Sequence, residues 1–274
     1  MPCAASQMQS GRTLRGCLGP AKACLVTSDV PPRLEVHDSL PSTIDRLAAL
    51  ASEGAADGTA VLALTQTKGR GSRGRKWSSP QGNLALSVLL RPDEPAATAG
   101  EWPLLAAVAL SDVLTPTLPD AGQLTLKWPN DVLLCGRKLA GILIEAATED
   151  GWLRVLSLGI GVNLRTAPDL ADRPTAALAE VATPPSPEAL ARDLLDALWR
   201  RRDERARNGF APIRAAWLAR AHPIGTRLAV QFAGERLDGV FAGLTEAGLL
   251  QLRTPEGMRT LSAGEVLLGD GADG

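Results

Sequence analysis

The chain has 274 residues, of which 45% are hydrophobic, and its formal net charge is −1. These values predict a soluble globular protein with a sizeable core, and they argue against binding of nucleic acid through bulk positive charge. With two histidines and no tyrosine, a histidine-rich metal site and a serine-histidine-aspartate triad are also disfavoured.

Cysteine usage and hydropathy bear on the location of the protein. Cys3, Cys17, Cys24 and Cys135 form neither a CxxC pair nor a metal-ligand spacing, which is typical of the reducing cytoplasm. No apolar run reaches the roughly 20 residues that span a bilayer, and no secretory signal is recognisable. The sequence therefore predicts a cytoplasmic protein that has no membrane partner.

Residues 1–32 lack a periodic pattern and are expected to form an irregular N-terminal extension. Strand and helix patterns alternate from residue 33 onward. The expected order is strand 34–37, helix 42–51 with a capping box at Ser42, strands 59–65 and 83–90, and helix 103–114. Two strand pieces over 124–134, interrupted by a Pro-Asn-Asp turn, follow, and a hairpin at Cys135-Gly136 returns along 138–144. Strand 152–164 and helices 187–207 and 210–218 complete the order. This pattern predicts an α+β domain over residues 33–221, with a mixed β-sheet and helices mostly on one face.

The pattern changes after residue 221. Short strands over residues 227–232, 236–242, 249–253 and 259–261 are joined by glycine-containing turns. About 50 residues of this kind predict a small all-β barrel over residues 222–274.

A basic loop between two apolar strands carries the strongest functional signal. Lys68, Arg70, Arg73, Arg75 and Lys76 occur without an intervening acid, and glycines at positions 69, 71 and 74 let backbone amides approach a ligand. A solvated surface loop is the plain alternative, but the strand at 84–90 follows at once and would hold the loop in place. The pattern predicts a site for an anion.

Three known phosphate-binding patterns do not fit this loop. The glycines match Gly-x-Gly-x-x-Gly, but no helix pattern follows them, as a dinucleotide site requires. A Walker loop would need a closing Gly-Lys-Ser/Thr, and a kinase would need His-Arg-Asp and Asp-Phe-Gly elements, and the sequence contains neither.

Two segments together resemble the biotin protein ligases. The first is the loop Gly69-Arg70-Gly71-Ser72-Arg73-Gly74-Arg75-Lys76-Trp77 with the following Ser79-Pro80 and Gly82-Asn83. The second is Lys127-Trp128-Pro129-Asn130-Asp131-Val132 with Arg137-Lys138-Leu139-Ala140-Gly141-Ile142-Leu143. The resemblance extends from residue 34 to the end, where Gly264-Glu265-Val266 is similar to part of the family's SH3-like C-terminal domain.

The resemblance implies an ATP-dependent ligase that adenylates biotin to biotinyl-5'-AMP and transfers biotin to a lysine of a carrier domain of a carboxylase. ATP and biotin are then substrates, with Mg²⁺ as the metal. The implied biotin site comprises Ser42, Thr43, Gln66, Arg70, Gly71, Ser72, Lys138 and Gly141. The implied ATP site comprises Arg73, Arg75, Trp77, Lys127, Asn130, Asp131, Lys138 and Asn163. Lys138, Asp131 and Arg70 are the predicted catalytic residues, and no set of protein metal ligands is predicted.

These residue types suit the chemistry. A carboxylate is ionised near neutrality, so adenylation needs cations rather than a general base. Transfer needs a neutral lysine amine, which Asp131 is expected to orient or deprotonate. Asp131 could instead cap a turn, and Lys138 could be an ordinary lysine at a strand edge. Trp77 and Trp128 could be core aromatics, although Trp77 lies in the charged loop.

The sequence departs from the family pattern at two positions. Ile44 stands where the family usually has asparagine, so a hydrogen bond is either missing there or supplied from elsewhere. Ser72 stands where many members carry arginine, so the loop is expected to hold the adenylate less tightly.

Two alternatives remain open at this stage. A lipoate-protein ligase would share the architecture but typically lacks the Lys-Trp-Pro-Asn-Asp segment. A biotin-responsive repressor needs a DNA-binding domain, and residues 1–32 are too short for a helix-turn-helix, so a monofunctional ligase without specific DNA binding is predicted. Homodimerisation through an edge of the sheet is left open.

Overall fold

The computed structural model describes residues 33–171 and 173–268. The predicted extension over residues 1–32, with Cys3, Cys17 and Cys24, lies outside the described residues. Cys135 is exposed and has a free thiol.

An eight-stranded mixed sheet forms the centre of the molecule. Its members are β1 (Leu34–His37), β2 (Ala60–Ala63), β3 (Leu84–Leu90), β4 (Glu94–Pro95), β5 (Leu124–Lys127), β6 (Asp131–Leu134), β7 (Arg137–Glu149) and β8 (Trp152–Val162). The order is β1-β2-β3-β8-β7-β6-β5, with β4 paired to β8. The pairing of β1 with β2 is parallel and the other pairings are antiparallel. The expected mixed sheet is confirmed.

Buried side chains at alternating positions along the strands belong to two different core clusters, one on each face of the sheet. Ala60 and Leu62 of β2 belong to the main core, whereas Val61 between them packs with Leu47 and Leu89 in a smaller cluster. Because successive side chains of a strand point to opposite faces, both faces of the sheet are covered.

Four α-helices are described: α1 (Thr43–Ser52), α2 (Glu101–Leu114), α3 (Pro187–Asn208) and α4 (Ala211–Leu218). Helix α1 carries Leu47 and covers the smaller cluster, while α2, α3 and α4 pack on the main core. Helices therefore lie mostly on one face, as predicted. No helix in the described ranges is long and apolar enough to cross a membrane.

Two arginines of α3 form ion pairs with neighbouring elements. Arg201 Nε lies 2.7 Å from Asp112 Oδ2 of α2, and Arg202 Nη1 lies 2.6 Å from Asp57 Oδ2. These arginines therefore have a structural role.

A five-stranded antiparallel sheet follows α4. It comprises β9 (Arg227–Phe232), β10 (Glu235–Leu244), β11 (Leu250–Thr254), β12 (Gly257–Leu261) and β13 (Glu265–Leu268), in the order β12-β11-β10-β9-β13. The fifth strand, β13, was not predicted as a separate strand. The small all-β unit confirms the expected fold class, and the boundary between residues 221 and 222 stays a prediction.

Candidate active site

A row of small residues crosses the central sheet on the face that carries α1. Ala85 of β3 pairs with Gly161 of β8, Gly161 pairs with Gly141 of β7, and Gly141 pairs with Asp131 of β6. Because two members of the row lack a side chain, the sheet has a trough here. Asp131 lies at one end of it.

The indole of Trp77 lies in this trough. A Cβ atom built on Gly161 would lie 2.3 Å from Trp77 Cε2, and one on Gly141 would lie 3.3 Å from Trp77 Cζ3. The glycines are therefore needed for close approach of the ring. Trp77 Nε1 is buried and has no hydrogen-bond partner among the described residues.

Replacing Gly161 with alanine is expected to lower the free energy of unfolding by about 1 to 3 kcal/mol, because the added methyl group has to displace the indole. Urea denaturation measures the effect. Gly100→Ala is the matched control, since a Cβ there meets no atom within 4 Å. Equal stability of the two variants would contradict this packing.

Polar side chains line the end of the trough next to α1. Gln66 Oε1 accepts hydrogen bonds from Thr43 N at 2.8 Å and from Thr43 Oγ1 at 3.1 Å. Thr43 Oγ1 lies 2.8 Å from Ser87 Oγ, and Gln66 Nε2 donates to Ser79 Oγ at 3.0 Å. Ser42 is buried at the N-cap of α1, but its side chain makes no capping hydrogen bond. The predicted capping box is therefore wrong, because Gln66 binds the helix N-terminus instead.

The departure at Ile44 has a structural consequence. Its side chain is buried, and a Cβ on Gly159 would lie 3.4 Å from Ile44 Cδ1. Ile44 thus contributes an apolar wall next to a polar network. The network supplies donors and acceptors through Gln66 and Ser87, without a polar group at position 44.

A β-bulge places Lys138 on the same face as the trough. The register of β6 with β7 shifts between Val132 and Leu133, so that Leu133 pairs with Lys138. Leu139 and Ala140 are consecutive residues, yet both are buried in the main core. The bulge interrupts the alternation and lets Lys138 point to the opposite face, as bulges commonly do near active sites.

Asp131 is bound between two lysines. Its Oδ1 lies 2.5 Å from Lys138 Nζ and its Oδ2 lies 3.2 Å from Lys127 Nζ, and all three side chains are less than 20% exposed. Burial raises the pKa of Asp131, but Lys138 and Lys127 together outweigh burial and lower it. A carboxylate with a lowered pKa is a weak base, so this geometry favours orientation over proton abstraction.

Lys127 also reaches the C-terminal sheet. Its Nζ donates to the backbone oxygen of Val266 in β13 at 3.2 Å. Lys127, a predicted ATP ligand, therefore links Asp131 to the second sheet.

The arginines of the basic loop are paired with carboxylates. Arg70 contacts Asp45 of α1 at 2.5 Å and also pairs with Glu145 of β7. Arg73 and Arg75 bind Glu265 of β13, at 2.9 Å and 2.7 Å. Glu265 is thus a site residue that the sequence analysis did not assign. Its only signal was its place in the Gly-Glu-Val segment.

The side chains of Asn130 and Asn163, two of the predicted ATP-site residues, donate hydrogen bonds to backbone carbonyl oxygens. Asn130 Nδ2 donates to Ile142 O at 2.6 Å, and Asn163 Nδ2 donates to Ala176 O at 3.3 Å. Asn163 Oδ1 is buried without a hydrogen-bond partner among the described residues. Asn163 therefore keeps an acceptor for a further group, whereas the Asn130 amide nitrogen is already bound to the backbone.

Two cavities meet at the basic loop. A deep one of about 50 Å³ lies over the trough, and a wider one of about 1040 Å³ lies between the loop and residues that follow β8, namely Asn163, Pro168, Leu170, Arg173 and Thr175. Arg70, Gly71, Ser72, Trp77 and Lys138 line both cavities. A third cavity of about 280 Å³ separates Asp131 from the C-terminal sheet.

The structure gathers the predicted residues around these cavities. Ser42, Thr43, Gln66, Arg70, Gly71, Ser72, Lys138 and Gly141 all line the deep cavity, together with Trp77 and Asn130. Arg75 and Asn163 line the wide cavity, whereas Arg73, Lys127 and Asp131 line the third one. One continuous region thus combines a narrow trough with a cationic opening.

Comparison with known proteins agrees with this arrangement. The biotin/lipoate A/B protein ligase family matches residues 36–163, and the biotin protein ligase C-terminal domain matches residues 224–269. The biotin–acetyl-CoA-carboxylase ligase of Paracoccus denitrificans is 40% identical over 76% of this chain and 90% of that protein.

The chain belongs to the biotin protein ligase family. The bifunctional ligase/repressor BirA of Bacillus subtilis is 34% identical over 89% of this chain and 77% of that protein. The solved biotin protein ligase of Aquifex aeolicus, in complex with biotin and ATP, has a TM-score of 0.72 at 26% identity, over 86% of this chain and 97% of that one.

Membership of the biotin protein ligase family confirms the resemblance predicted from the two signature segments. The match to the C-terminal domain of biotin protein ligases covers the small β-sheet that carries Glu265. Neither the lipoate ligase nor the repressor alternative is favoured by these findings. The roles of individual site residues stay predictions.

Proposed function

We propose that this protein is an ATP-dependent biotin protein ligase. In the first half-reaction, the biotin carboxylate attacks the α-phosphorus of ATP, forming biotinyl-5'-AMP and releasing pyrophosphate. In the second, the amine of a lysine on a carrier domain attacks the acyl carbon. An amide forms, AMP leaves, and the lysine amine loses a proton.

The observation that carries this proposal is the Lys138–Asp131 pair at the junction of the trough and the cationic opening. Lys138 Nζ lies 2.5 Å from Asp131 Oδ1. It also lies 5.7 Å from the centre of the Trp77 ring. A cation in this position can contact a carboxylate in the trough and a phosphate in the opening at once.

The trough suits the bicyclic end of biotin. Thr43, Gln66 and Ser87 offer a hydroxyl and amide network that can bind a cyclic urea, while Ile44 contacts the apolar part of the rings. The deep cavity of about 50 Å³ is far below the roughly 300 to 1,000 Å³ of ligand pockets. We therefore infer that the Trp77 indole moves when biotin enters.

The cations suit the phosphoryl chemistry. In this proposal Arg70 binds the biotin carboxylate, and Arg73 and Arg75 bind phosphate oxygens after exchanging their carboxylate partners. Bidentate contacts from guanidinium groups stabilise the charge that develops as pyrophosphate leaves. Asp131, with its lowered pKa, orients Lys138 and the incoming amine.

Mg²⁺ enters as part of the MgATP substrate. Within the described ranges no three His, Cys, Asp or Glu side chains converge on one point. Magnesium in ATP sites commonly uses one or two carboxylates together with substrate phosphates. Asp131 and Glu265 are the carboxylates near the proposed phosphate position, and Mg²⁺ would neutralise phosphate charge there.

The proposed partner is the biotin carboxyl carrier domain of a carboxylase. The support is the name of the Paracoccus relative, which is a biotin–acetyl-CoA-carboxylase ligase. The third cavity, of about 280 Å³, gives a route past Asp131 for the acceptor lysine. The cytoplasm stays the predicted location, specific DNA and membranes are not proposed as partners, and homodimerisation stays open.

Incubation with biotin, MgATP and a carrier domain tests the function directly. Mass analysis is expected to show one biotinyl addition, on the acceptor lysine of the carrier domain. A parallel reaction with lipoate is expected to show none. Preferential attachment of lipoate would overturn the proposal.

Replacing Ser72 with arginine is expected to slow the release of biotinyl-5'-AMP by about tenfold, because one charge-assisted hydrogen bond is worth 1.5 kcal/mol or more. Ser72 lines both cavities, and its Oγ accepts a hydrogen bond from Arg75 Nη2 at 3.4 Å. Release is measured by filter separation of labelled adenylate. An unchanged rate would show that position 72 does not hold the intermediate.

A further inference from the structure

Three guanidinium groups converge on one carboxylate beside the site. Glu265 Oε2 lies 2.9 Å from Arg73 Nη1, and Glu265 Oε1 lies 2.7 Å from Arg75 Nη1 and 3.8 Å from Arg173 Nη1. Three positive charges face a single carboxylate at this position, so the cluster of these four side chains keeps an excess of positive charge. The cluster therefore suits a ligand with more negative charge than one carboxylate, such as a polyphosphate.

Arg173 is not among the site residues predicted from the sequence. In the structure, the backbone that follows Arg173 is hydrogen-bonded to Lys138 of β7. Lys138 N donates to Pro174 O at 2.9 Å, and Ala176 N donates to Lys138 O at 3.0 Å. The backbone next to Arg173 is thus paired with β7 at Lys138. Arg173, Arg75 and Lys138 all line the cavity of about 1040 Å³.

The carboxylate of Glu265 shows the position at which this cluster of arginines binds anionic oxygen atoms. The three positive charges lower the pKa of Glu265 although its burial raises it, so the position favours negative charge. Glu265 belongs to β13, and its contacts to the basic loop join segments 190 residues or more apart. The basic loop and Arg173 therefore lie on either side of one anion-binding position.

On the basis of the proposed function, we propose that Arg173 binds the polyphosphate of ATP alongside Arg73 and Arg75. The three guanidiniums then exchange the single carboxylate of Glu265 for phosphate oxygens. This gives the β8–α3 connection a share in ATP binding. Many family members carry an arginine at position 72, where this chain has serine. Arg173 thereby supplies, from a second segment, part of the positive charge that the basic loop lacks.

Steady-state kinetics with Arg173→Gln test this proposal. The KM for MgATP is expected to rise about tenfold, as for loss of one charge-assisted hydrogen bond. The KM for biotin is expected to change less than twofold, and Arg173→Lys is expected to recover part of the loss. Arg165→Gln is the matched control, because Arg165 is an exposed arginine of the same connection that does not line the wide cavity.

Repeating the substitution in a Glu265→Gln variant distinguishes direct contact of Arg173 with polyphosphate from an indirect effect through Glu265. If Arg173 touches polyphosphate, Arg173→Gln raises the KM for MgATP in a Glu265→Gln background as well. If Arg173 acts only by holding Glu265, its substitution has no effect there, and the proposal is overturned. Circular dichroism confirms folding, and Arg173→Lys carries the test if the glutamine variant fails to fold.

Calorimetric titration with pyrophosphate gives a readout that does not need turnover. The dissociation constant for pyrophosphate is expected to rise about tenfold in Arg173→Gln. If the unaltered protein forms biotinyl-5'-AMP, but the KM for MgATP and the dissociation constant for pyrophosphate are both unchanged in Arg173→Gln, only the Arg173 proposal fails. If the unaltered protein forms no adenylate, the proposed function fails, and pyrophosphate binding still decides the role of Arg173.

Discussion

Replacing Lys138 with alanine is expected to lower kcat/KM for biotinyl-5'-AMP formation by about a hundredfold to a thousandfold, the usual cost of losing one donor aimed at developing charge. Lys138 Nζ lies between the trough and the wide cavity. Its loss removes the cation that contacts both reacting groups. Biotin-dependent release of pyrophosphate measures the effect.

The control for Lys138 is another cation, one that lines none of the three cavities. Arg236→Ala removes a charge whose side chain is 60% exposed and paired only locally with Asp238, and it is expected to leave the rate unchanged. Lys138→Arg is expected to restore little activity, because a planar guanidinium does not replace a compact ammonium in a tight site. Full activity of Lys138→Ala would remove the assignment.

Replacing Asp131 with asparagine is expected to lower the free energy of unfolding by about 3 kcal/mol at pH 7, because it leaves two largely buried lysines without a carboxylate. The rate of transfer to the carrier lysine is expected to fall about a hundredfold as the amine loses its orientation. Urea denaturation and a single-turnover transfer assay measure the two effects.

The stability effect of Asp131 has a defined pH dependence. The folded-state pKa lies below the ordinary 3.8, so the carboxylate stabilises the fold fully above that ordinary value. Its contribution is lost as the pH falls through the folded-state pKa. The difference between the unaltered protein and Asp131→Asn is therefore expected to be constant from pH 7 to about pH 5 and to shrink below pH 4.

A double variant provides the control for Asp131. Adding Lys138→Met to Asp131→Asn removes one unpaired buried charge and is expected to recover part of the lost stability. Equal stability of Asp131→Asn and the unaltered protein at pH 7 would show that the ion pairs of Asp131 with Lys138 and Lys127 do not stabilise the fold.

Much of the fold follows from apolar periodicity in the sequence. The run from Leu84 to Leu90 is completely buried as β3, and Leu190, Leu194 and Leu198 lie on the buried side of α3, as their spacing predicts. The same reasoning predicts the β6–β7 hairpin, whose unbroken register would pair Asp131 with Ala140, and the bulge moves this pairing by one residue to Gly141. Local patterns therefore suffice for the elements, and they place Asp131 to within one residue of its partner in β7.

Other features of the site depend on long-range geometry. The bulge that reorients Lys138 leaves no mark in a sequence where Leu139 and Ala140 are both apolar. The place of Trp77 depends on the register that aligns Gly141 with Gly161. The partners of Arg73 and Arg75 come from β13, which is distant along the chain, and no local spacing predicts such contacts.

On the proposed function, this cationic trough joins a carboxylate to the α-phosphate of ATP. The most direct measurement uses biotin and MgATP without a carrier domain and follows both products of a single turnover. The expected result is biotinyl-5'-AMP and pyrophosphate in equal amounts, with no pyrophosphate when biotin is omitted. Pyrophosphate release that does not depend on biotin, or the absence of adenylate, would contradict the claim.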